Sequence, residues 1–230
     1  MRLIQTLYSC LCTGIIALFT ACSQAPQSPI DSVNPFIGTG FHGHTYPGAT
    51  APYGAVQLSP DTRKGNWDAC SGYHYSDSTL MGFSHTHLSG TGCIDLGDIL
   101  FRPSLQTPLA FSHSDEKASP GYYSVNLREA GVLAELTTTP HVGIHRYTYK
   151  KGIESTLVVD MDHLLDNEYI YEGWVKQTGE NELTGMRRTR GWVDNQYVFF
   201  VAQFSQPFSS MEQPSERQAV LTFDTTTGKP

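Results

Sequence analysis

The stretch from Tyr123 to Leu136, YSVNLREAGVLAEL, decides the fold class. Apolar and polar residues alternate on both sides of Glu129-Ala130-Gly131, and a period of two is typical of strands with one buried face. Two alternating runs joined by a short segment that contains glycine predict a β-hairpin. The sequence therefore predicts antiparallel strands in the middle of the chain.

Further runs of the same kind lie on the C-terminal side of this hairpin. Residues 141–149 and 153–160 predict the next two strands, and residues 219–224 predict another. The run from 197 to 204 is apolar at nearly every position, which is typical of a strand covered on both faces. Short strands at regular spacing, with no long helical period beyond residues 1–21, predict an all-β fold, a two-layer antiparallel β-sandwich.

The N-terminus has the pattern of a targeting segment. Residues 1–21 combine a charge at Arg2, an apolar stretch and small residues before Cys22, as a secretory signal peptide does. The residues before Cys22 resemble a bacterial lipobox, in which the cysteine carries the lipid; the alternative is an ordinary signal peptide with a free Cys22. We predict an exported lipoprotein of the bacterial envelope, in the periplasm or at the outer membrane and cell surface. Residues 22–30 would be a tether, and residues 31–230 the sandwich domain.

The composition limits the classes of partner. The 230 residues carry a formal net charge of −7, which argues against a nucleic-acid partner because phosphate binding needs a basic surface. Charged residues make up 16% of the chain, against a usual ~25%. A surface poor in charge suits neutral, hydroxyl-rich ligands, although many exported β-proteins share it.

Two of the five cysteines stay in the mature domain. Cys10 and Cys12 would leave with the signal peptide, and Cys22 would carry the lipid. Cys70 and Cys93 could form a disulfide in an oxidising compartment, worth roughly 3 kcal/mol for a loop of about 22 residues. The alternative is that one of them lines a pocket as a reduced thiol.

Histidines concentrate in the irregular region between residues 34 and 98. The five are His42, His44, His74, His85 and His87. Two His-x-His pairs, if extended, would each present both rings on one face about 7 Å apart, a geometry that can hold zinc or copper. Neither pair has a Glu or Cys at a customary zinc spacing. We interpret these imidazoles as hydrogen-bonding groups in packed loops or as sugar contacts, and no metal ligand is assigned.

Two groups of residues have chemistry suited to sugars. The Trp67 indole could lie on the C–H face of a pyranose while Asp68 accepts hydroxyl hydrogen bonds; the alternative is a core tryptophan followed by an aspartate turn. Asp160, Asp162 and Asp166 have a spacing that inverting glycosidases also use, but we interpret them as turn and cap residues. The sequence contains no nucleophile elbow and no phosphate loop.

Six motifs follow one another in fixed order through this region. They are NPFIGTG (34–40), HGHTYPGA (42–49), QLSPDTR (57–63), WDACSGYHY (67–75), GFSHTHLSGTGC (82–93) and DLGD (95–98). This series resembles the opening of glycoside hydrolase family 92. The resemblance extends from about residue 31 to the end, more loosely after Gly121, and the sequence departs at Ala69 from a fuller Trp-Asp-aromatic-Cys pattern.

The resemblance implies a function for the whole protein. Members of the family are mostly exo-acting, inverting, calcium-dependent α-mannosidases that act on N-glycans or mannans. Their N-terminal β-sandwich packs on a C-terminal (α/α)6 barrel that supplies the catalytic acid and base. The resemblance implies that this sandwich is incomplete at its C-terminus, that the catalytic residues lie outside the chain, and that the calcium ligands do too. The alternatives are a stand-alone, lipid-anchored mannose-binding module and an inactive remnant.

The same resemblance places α-mannoside contacts in the loops of the sandwich. A backbone approach to the sugar, an aromatic wall, hydroxyl partners and a thiol in the same loop are the expected roles. The predicted substrate-binding residues are Gly43, His44, Trp67, Asp68, Cys70, His85 and His87.

Overall fold

The structure, a computed structural model, describes residues 28–166 and 169–224. The predicted signal peptide, the lipidation of Cys22 and most of the tether lie outside the described residues. The chain divides into two units, 1–33 and 34–230. The described part of the first unit contains a short 3-10 helix, Pro29–Ser32, and no described helix is long and apolar enough to cross a membrane.

The second unit is built from strands. Its described residues contain two further 3-10 helices, Trp67–Ala69 and His113–Asp115, and no α-helix. The sixteen strands of the described chain are β1 (Ala49–Thr50), β2 (Gln57–Asp61), β3 (Thr79–Leu80), β4 (Gly82–Ser84), β5 (Leu100–Arg102), β6 (Leu109–Ala110), β7 (Glu116–Ser119), β8 (Tyr122–Leu127), β9 (Val132–Thr138), β10 (Gly143–Tyr149), β11 (Ser155–Asp160), β12 (Tyr169–Gly179), β13 (Glu182–Arg190), β14 (Gln196–Gln203), β15 (Ser210–Ser215) and β16 (Gln218–Phe223).

The strands form two layers of antiparallel sheet. One layer is a seven-stranded sheet in the order β1-β2-β4-β5-β11-β16-β15. The other layer consists of a four-stranded sheet, β10-β9-β8-β7, and a three-stranded sheet, β12-β13-β14, while β3 and β6 form a small separate pair. Every pairing between these strands is antiparallel. The predicted fold class, an all-β sandwich, is confirmed.

Two hydrophobic cores join the layers. In the first, Leu58 and Phe83 of the seven-stranded sheet lie in one cluster with Tyr123 and Leu136 of the four-stranded sheet. Each side chain of this size contributes ~1.5–3 kcal/mol when it is fully buried. The alternation of the β8–β9 hairpin supplies this face because every second residue points inward.

The second core joins the other end of the large sheet to the three-stranded sheet. Leu157 of β11 and Leu221 of β16 cluster with Val175 of β12 and Leu183 of β13. The predicted strands around residues 153–160 and 219–224 are therefore confirmed, and both lie within the seven-stranded sheet.

Strand β14 has one packed face and one open face in the described chain. Its inner residues Val198, Phe200 and Ala202 pack against the second core. Its outer face is open, and Phe199 is 70% exposed. No described element lies over that face of the three-stranded sheet, so the described residues cover β14 on one face, and cover on the second face remains a prediction.

Candidate functional site

Three loops meet around Trp67. They are residues 38–48, residues 66–70 and residues 88–95, and the last is an excursion closed at its base by the bridge between His87 and Leu96. Asn66 caps the short 3-10 helix at Trp67, since its Oδ1 accepts a hydrogen bond of 3.0 Å from the Asp68 amide. Trp67 is 53% exposed, so it is not a core residue.

A tight turn brings His44 under the indole. The Gly43 amide donates to the Gly40 carbonyl at 3.2 Å, and a Cβ at Gly43 would lie 2.1 Å from the Gly38 carbonyl oxygen. Only glycine fits there, as expected for a close backbone approach. His44 follows with a φ of 57°, a conformation uncommon outside glycine, and its ring meets the Trp67 ring edge-on at 4.2 Å between centroids.

One atom of this cluster has an unmet hydrogen bond. His44 is 8% exposed, and its Nε2 has no hydrogen-bond partner among the described residues. Buried polar side-chain atoms are almost always paired, so each exception calls for an explanation. Because this nitrogen is closed to solvent, a ligand hydroxyl would become its partner only when a neighbouring side chain moves aside.

Asp68 is held on the rim of the same cluster. His42 Nδ1 lies 2.5 Å from Asp68 Oδ1, and both side chains are partly exposed. Phe41 packs against His42 with tilted rings and 4.0 Å between ring centroids, and it is itself exposed. The carboxylate is thus fixed in position and still accessible to hydroxyl donors.

Cys70 lies beneath the surface of the cluster. Its amide donates to the Trp67 carbonyl at 3.2 Å, and its side chain is fully buried. The thiol is free, so the disulfide with Cys93 is not formed. Burial raises the pKa of the Cys70 thiol. The residue fills space below Trp67 and does not reach the exposed rim.

His87 lies in a buried polar network instead of at this rim. Its Nδ1 is 2.6 Å from the Gln57 carbonyl oxygen, and its Nε2 is 2.7 Å from Asp61 Oδ1. The Gln57 carbonyl oxygen can only accept, so Nδ1 donates to it, while Nε2 faces the buried carboxylate of Asp61. His163 Nε2 lies 2.7 Å from the other oxygen, Asp61 Oδ2.

The charges in this network support one another. Burial alone would raise the pKa of Asp61, but the positive charge of His87 and the hydrogen bonds from His163 and His87 outweigh it. The pKa of Asp61 therefore falls below its ordinary value, and the carboxylate stays ionised. Sequence reasoning missed both Asp61 and His163.

His85 belongs to a second, neutral chain of hydrogen bonds. Its Nδ1 lies 2.6 Å from the Ile99 carbonyl oxygen and must donate, so its Nε2 accepts from His145 Nε2 at 3.0 Å. The Tyr147 hydroxyl then donates to His145 Nδ1 at 2.7 Å. Burial lowers the pKa of His85 to about 4 and that of His145 well below its ordinary value, so both rings are neutral at pH 7.

A buried ion pair fastens the segment that follows the 88–95 loop to the three-stranded sheet. Arg187 of β13 donates from Nε to Asp98 Oδ1 at 2.9 Å. Thr86 and Gln196 donate to the other oxygen of Asp98 at 2.6 and 2.8 Å. Buried charges persist only when paired in this way, and the pair was not foreseen from the sequence.

The described residues do not assemble a cation site. No group of three or more His, Cys, Asp or Glu side chains converges among them. Calcium prefers six to eight oxygen ligands. The buried carboxylates of Asp61 and Asp98 already face His87 and Arg187 instead. The side chains present in the described ranges therefore do not fit a calcium ion, and calcium remains an expectation from the family resemblance.

A groove of about 520 Å³ lies elsewhere, along β12 and β15. Its lining residues are Trp174, Val175, Lys176, Gln213, Ser215 and Glu216. None of the predicted site residues lines it. The Trp67 cluster is instead an open rim of loops.

The structure thus separates the predicted site residues into two groups. Gly43, His44, Trp67 and Asp68 meet at one exposed rim, with Cys70 buried below them. His87 is buried and His85 is half-buried, and both nitrogens of each ring are engaged.

The fold and these loops place the chain among the glycoside hydrolases. It matches the glycosyl hydrolase family 92 N-terminal domain over residues 32–229 and belongs to this family.

Solved structures of family members share the fold. A family GH92 alpha-mannosidase from Bacteroides thetaiotaomicron, solved in complex with mannoimidazole, is 36% identical with a TM-score of 0.78, over 85% of this chain and 30% of that one. A GH92 inverting mannosidase from the same species is 24% identical with a TM-score of 0.71, over 90% of this chain and 31% of that one, and shows the fold alone.

One curated relative is also described as a glycosidase. An uncharacterized secreted glycosidase from Arthroderma benhamiae is 27% identical over 181 residues, which is 70% of this chain and 23% of that protein. The chain therefore spans less than a third of the length of each of these relatives.

Proposed function

We infer that this chain is the sugar-contacting N-terminal domain of an exported exo-α-mannosidase. The observation that carries this proposal is the buried, unpartnered Nε2 of His44 beside the exposed indole of Trp67. Family membership and the similarity to an alpha-mannosidase solved with mannoimidazole indicate the class of ligand, an α-mannoside.

Each rim residue has a role that its chemistry supports. Trp67 would lie on the C–H face of the terminal mannose, because an indole offers a large apolar surface. His44 Nε2 would meet one hydroxyl from below, and the Asp68 carboxylate would accept another at the side. Gly43 permits the tight turn against the Gly38 carbonyl that positions His44. Cys70, His85 and His87 support these loops from within.

The chemistry of hydrolysis is assigned to the rest of the protein. The relatives are more than three times longer than the region they share with this chain. We place the catalytic acid and base, the calcium ligands and the (α/α)6 barrel in that remainder, together with inversion and action on N-glycans or mannans. Export agrees with the description of the fungal relative as secreted. The lipid anchor at Cys22 and an envelope location are part of the same proposal.

Mannoside binding by the purified chain tests the proposal. Isothermal titration with methyl α-mannoside should give binding that Trp67→Ala weakens roughly tenfold, since stacking on an aromatic ring contributes ~1.5 kcal/mol beyond buried area. Phe199→Ala is the matched control, because it removes an exposed ring on β14. Unchanged binding in Trp67→Ala would move the sugar site elsewhere. A chain that binds no mannoside at all would favour the inactive remnant.

Hydrolysis separates a catalytic part from a binding module. An aryl α-mannoside with calcium should not be turned over by the 230 residues alone. Turnover would contradict the assignment of the catalytic carboxylates to the remainder of the protein. A gene product of about the size of this chain, with binding intact, would instead establish a stand-alone mannose-binding module.

A further inference from the structure

A second exposed tryptophan lies at the tip of the β13–β14 hairpin. Trp192 is 72% exposed, and its neighbour Val193 is also exposed. The large apolar surface of an indole favours contact with a partner over water. Trp192 is not one of the rim residues around Trp67, so its exposure needs an explanation of its own.

The backbone of the tip is held in place although the Trp192 side chain is exposed to solvent. Asp95, which is 4% exposed, accepts a short hydrogen bond from the Trp192 amide through Oδ2 and one of 2.7 Å from the Leu96 amide through Oδ1. A Cβ at Gly191 would lie 2.5 Å from Asp95 Oδ1, so glycine is needed for this approach. The Gly191 amide closes the tip by donating to the Val193 carbonyl at 3.1 Å.

The strand ends beside the tip are fastened to the same segment. Arg187 of β13 and Gln196 of β14 both donate to the buried carboxylate of Asp98. Two carboxylates three residues apart, Asp95 and Asp98, therefore fix the tip of the hairpin and the strand ends next to it. An indole on such a support loses little further freedom when it binds.

The loop that carries Asp95 also touches the first tryptophan. The Gly90 amide donates to the His44 carbonyl at 2.6 Å, and a Cβ at Gly92 would lie 3.3 Å from Trp67 Nε1. Gly92 and Asp95 are three residues apart, a span of at most ~11 Å. The 88–95 loop thus lies between two exposed indoles and connects their supports.

We propose that Trp192 binds the second sugar of the substrate, the residue linked to the terminal mannose. This inference rests on the proposed function, in which Trp67 holds the terminal mannose. The ligand class is a short, neutral α-linked oligomannoside that crosses the 88–95 loop. Aromatic rings recognise successive pyranoses without charge, and the surface of this loop is made of Ser89, Gly90 and Thr91.

Affinity for sugars of two lengths tests the assignment. The purified chain would be titrated with methyl α-mannoside and with α-linked mannobioses, one for each linkage. At least one mannobiose should bind more tightly than the monosaccharide. Trp192→Ala should lower that affinity roughly 3- to 10-fold and leave the monosaccharide affinity unchanged, while Trp192→Tyr should keep most of it. Phe199→Ala should change neither value.

Each other outcome overturns a defined statement. If Trp192→Ala binds both mannobiose and monosaccharide like the wild type, the inference is wrong, and loss of binding in Trp67→Ala would leave the proposed function standing. Equal weakening for both sugars, or a wild type that does not prefer any mannobiose, also overturns it. If the wild type binds no mannoside, the proposed function fails and the inference fails with it. Unfolding curves for each variant exclude loss of structure as the cause.

A second variant separates the indole from its support. Asp95→Ala removes the acceptor for the Trp192 amide, so the tip should loosen. Selective loss of mannobiose affinity, smaller than that of Trp192→Ala, is expected. Mannobiose affinity equal to that of the wild type would contradict the claim that the buried carboxylate positions the ring.

Discussion

The Trp67 rim and the Asp61 network come from the same motif-rich stretch but differ in how their polar atoms are satisfied. At the rim, His44 has a buried nitrogen without a partner in the described chain, and Trp67 is exposed. In the network, both nitrogens of His87 and both oxygens of Asp61 are engaged. At the rim the spare nitrogen lies beside an exposed aromatic ring, where a ligand can bind, whereas in the network the hydrogen-bonding groups are used to hold the loops together.

The comparison changes the meaning of the His-x-His pairs. His85 and His87 alternate along an irregular segment after β4, yet His85 belongs to a neutral chain of hydrogen bonds and His87 faces a buried carboxylate. The partners that the fold brings to each ring decide this difference, because a carbonyl oxygen can only accept a hydrogen bond. Neither ring is free to act as a metal ligand or a sugar partner.

The largest effect is expected from breaking the Asp61 network. Asp61→Ala removes the buried carboxylate that pairs with both His87 and His163, and breaking such a buried pair costs ~3–5 kcal/mol of unfolding free energy. Urea unfolding followed by tryptophan fluorescence measures the change. Asp68→Ala is the control, because its carboxylate pairs with His42 at the exposed rim and surface pairs contribute ~0–1 kcal/mol. Equal effects of the two substitutions would contradict the division into support and rim.

Local patterns predicted the fold better than they predicted this network. The β8–β9 hairpin follows from alternation within a short stretch of chain, and the structure confirms it. Asp61 and His163 are 102 positions apart, and Arg187 and Asp98 are 89 apart, so no spacing rule links them. Such pairs become visible only when the sheets are assembled.

Exposure was the other property that local patterns could not determine. The Trp67-Asp68 pair suited either a core turn or a sugar wall, and the cap at Asn66 turns the indole outward. Trp192 carried no recognisable pattern, because a hairpin tip is defined by pairing between β13 and β14. The apolar run of β14 predicted a strand correctly, and the described residues cover only one of its faces.

Acid should destabilise the domain through His85 first and through Asp61 at lower pH. The pKa of His85 is lowered to about 4 in the fold, below the ordinary ~6.5 of an unfolded histidine. The unfolded state therefore binds more protons between these values, and stability falls as the pH drops from about 6.5 to about 4. Asp61, with its lowered pKa, adds a further loss as the pH falls below ~3.9.

Unfolding free energies at a series of pH values check this order. His85→Asn keeps a donor for the Ile99 carbonyl but does not titrate, so the slope between about pH 6.5 and about pH 4 should become shallower. The effect is expected to be about 1.4 kcal/mol per unit of pKa difference at most. Phe199→Ala is the control, because it removes an exposed ring that does not titrate, and it should retain the wild-type slope. An unchanged slope in His85→Asn would mean that His85 is not held neutral by the fold.

The smallest change in stability should accompany a clear change in binding at His44. His44→Ala removes a nitrogen that has no partner among the described residues, so little unfolding free energy is lost with it, about 1 kcal/mol from lost packing on Trp67. The same substitution should weaken methyl α-mannoside binding by roughly 3- to 10-fold, since a hydrogen bond to a ligand hydroxyl contributes ~0.5–1.5 kcal/mol. His87→Ala should give the opposite pattern, a large loss of stability with affinity kept in the folded fraction. Matching effects of the two substitutions on both quantities would remove the distinction between spare and satisfied imidazoles on which the sugar site rests.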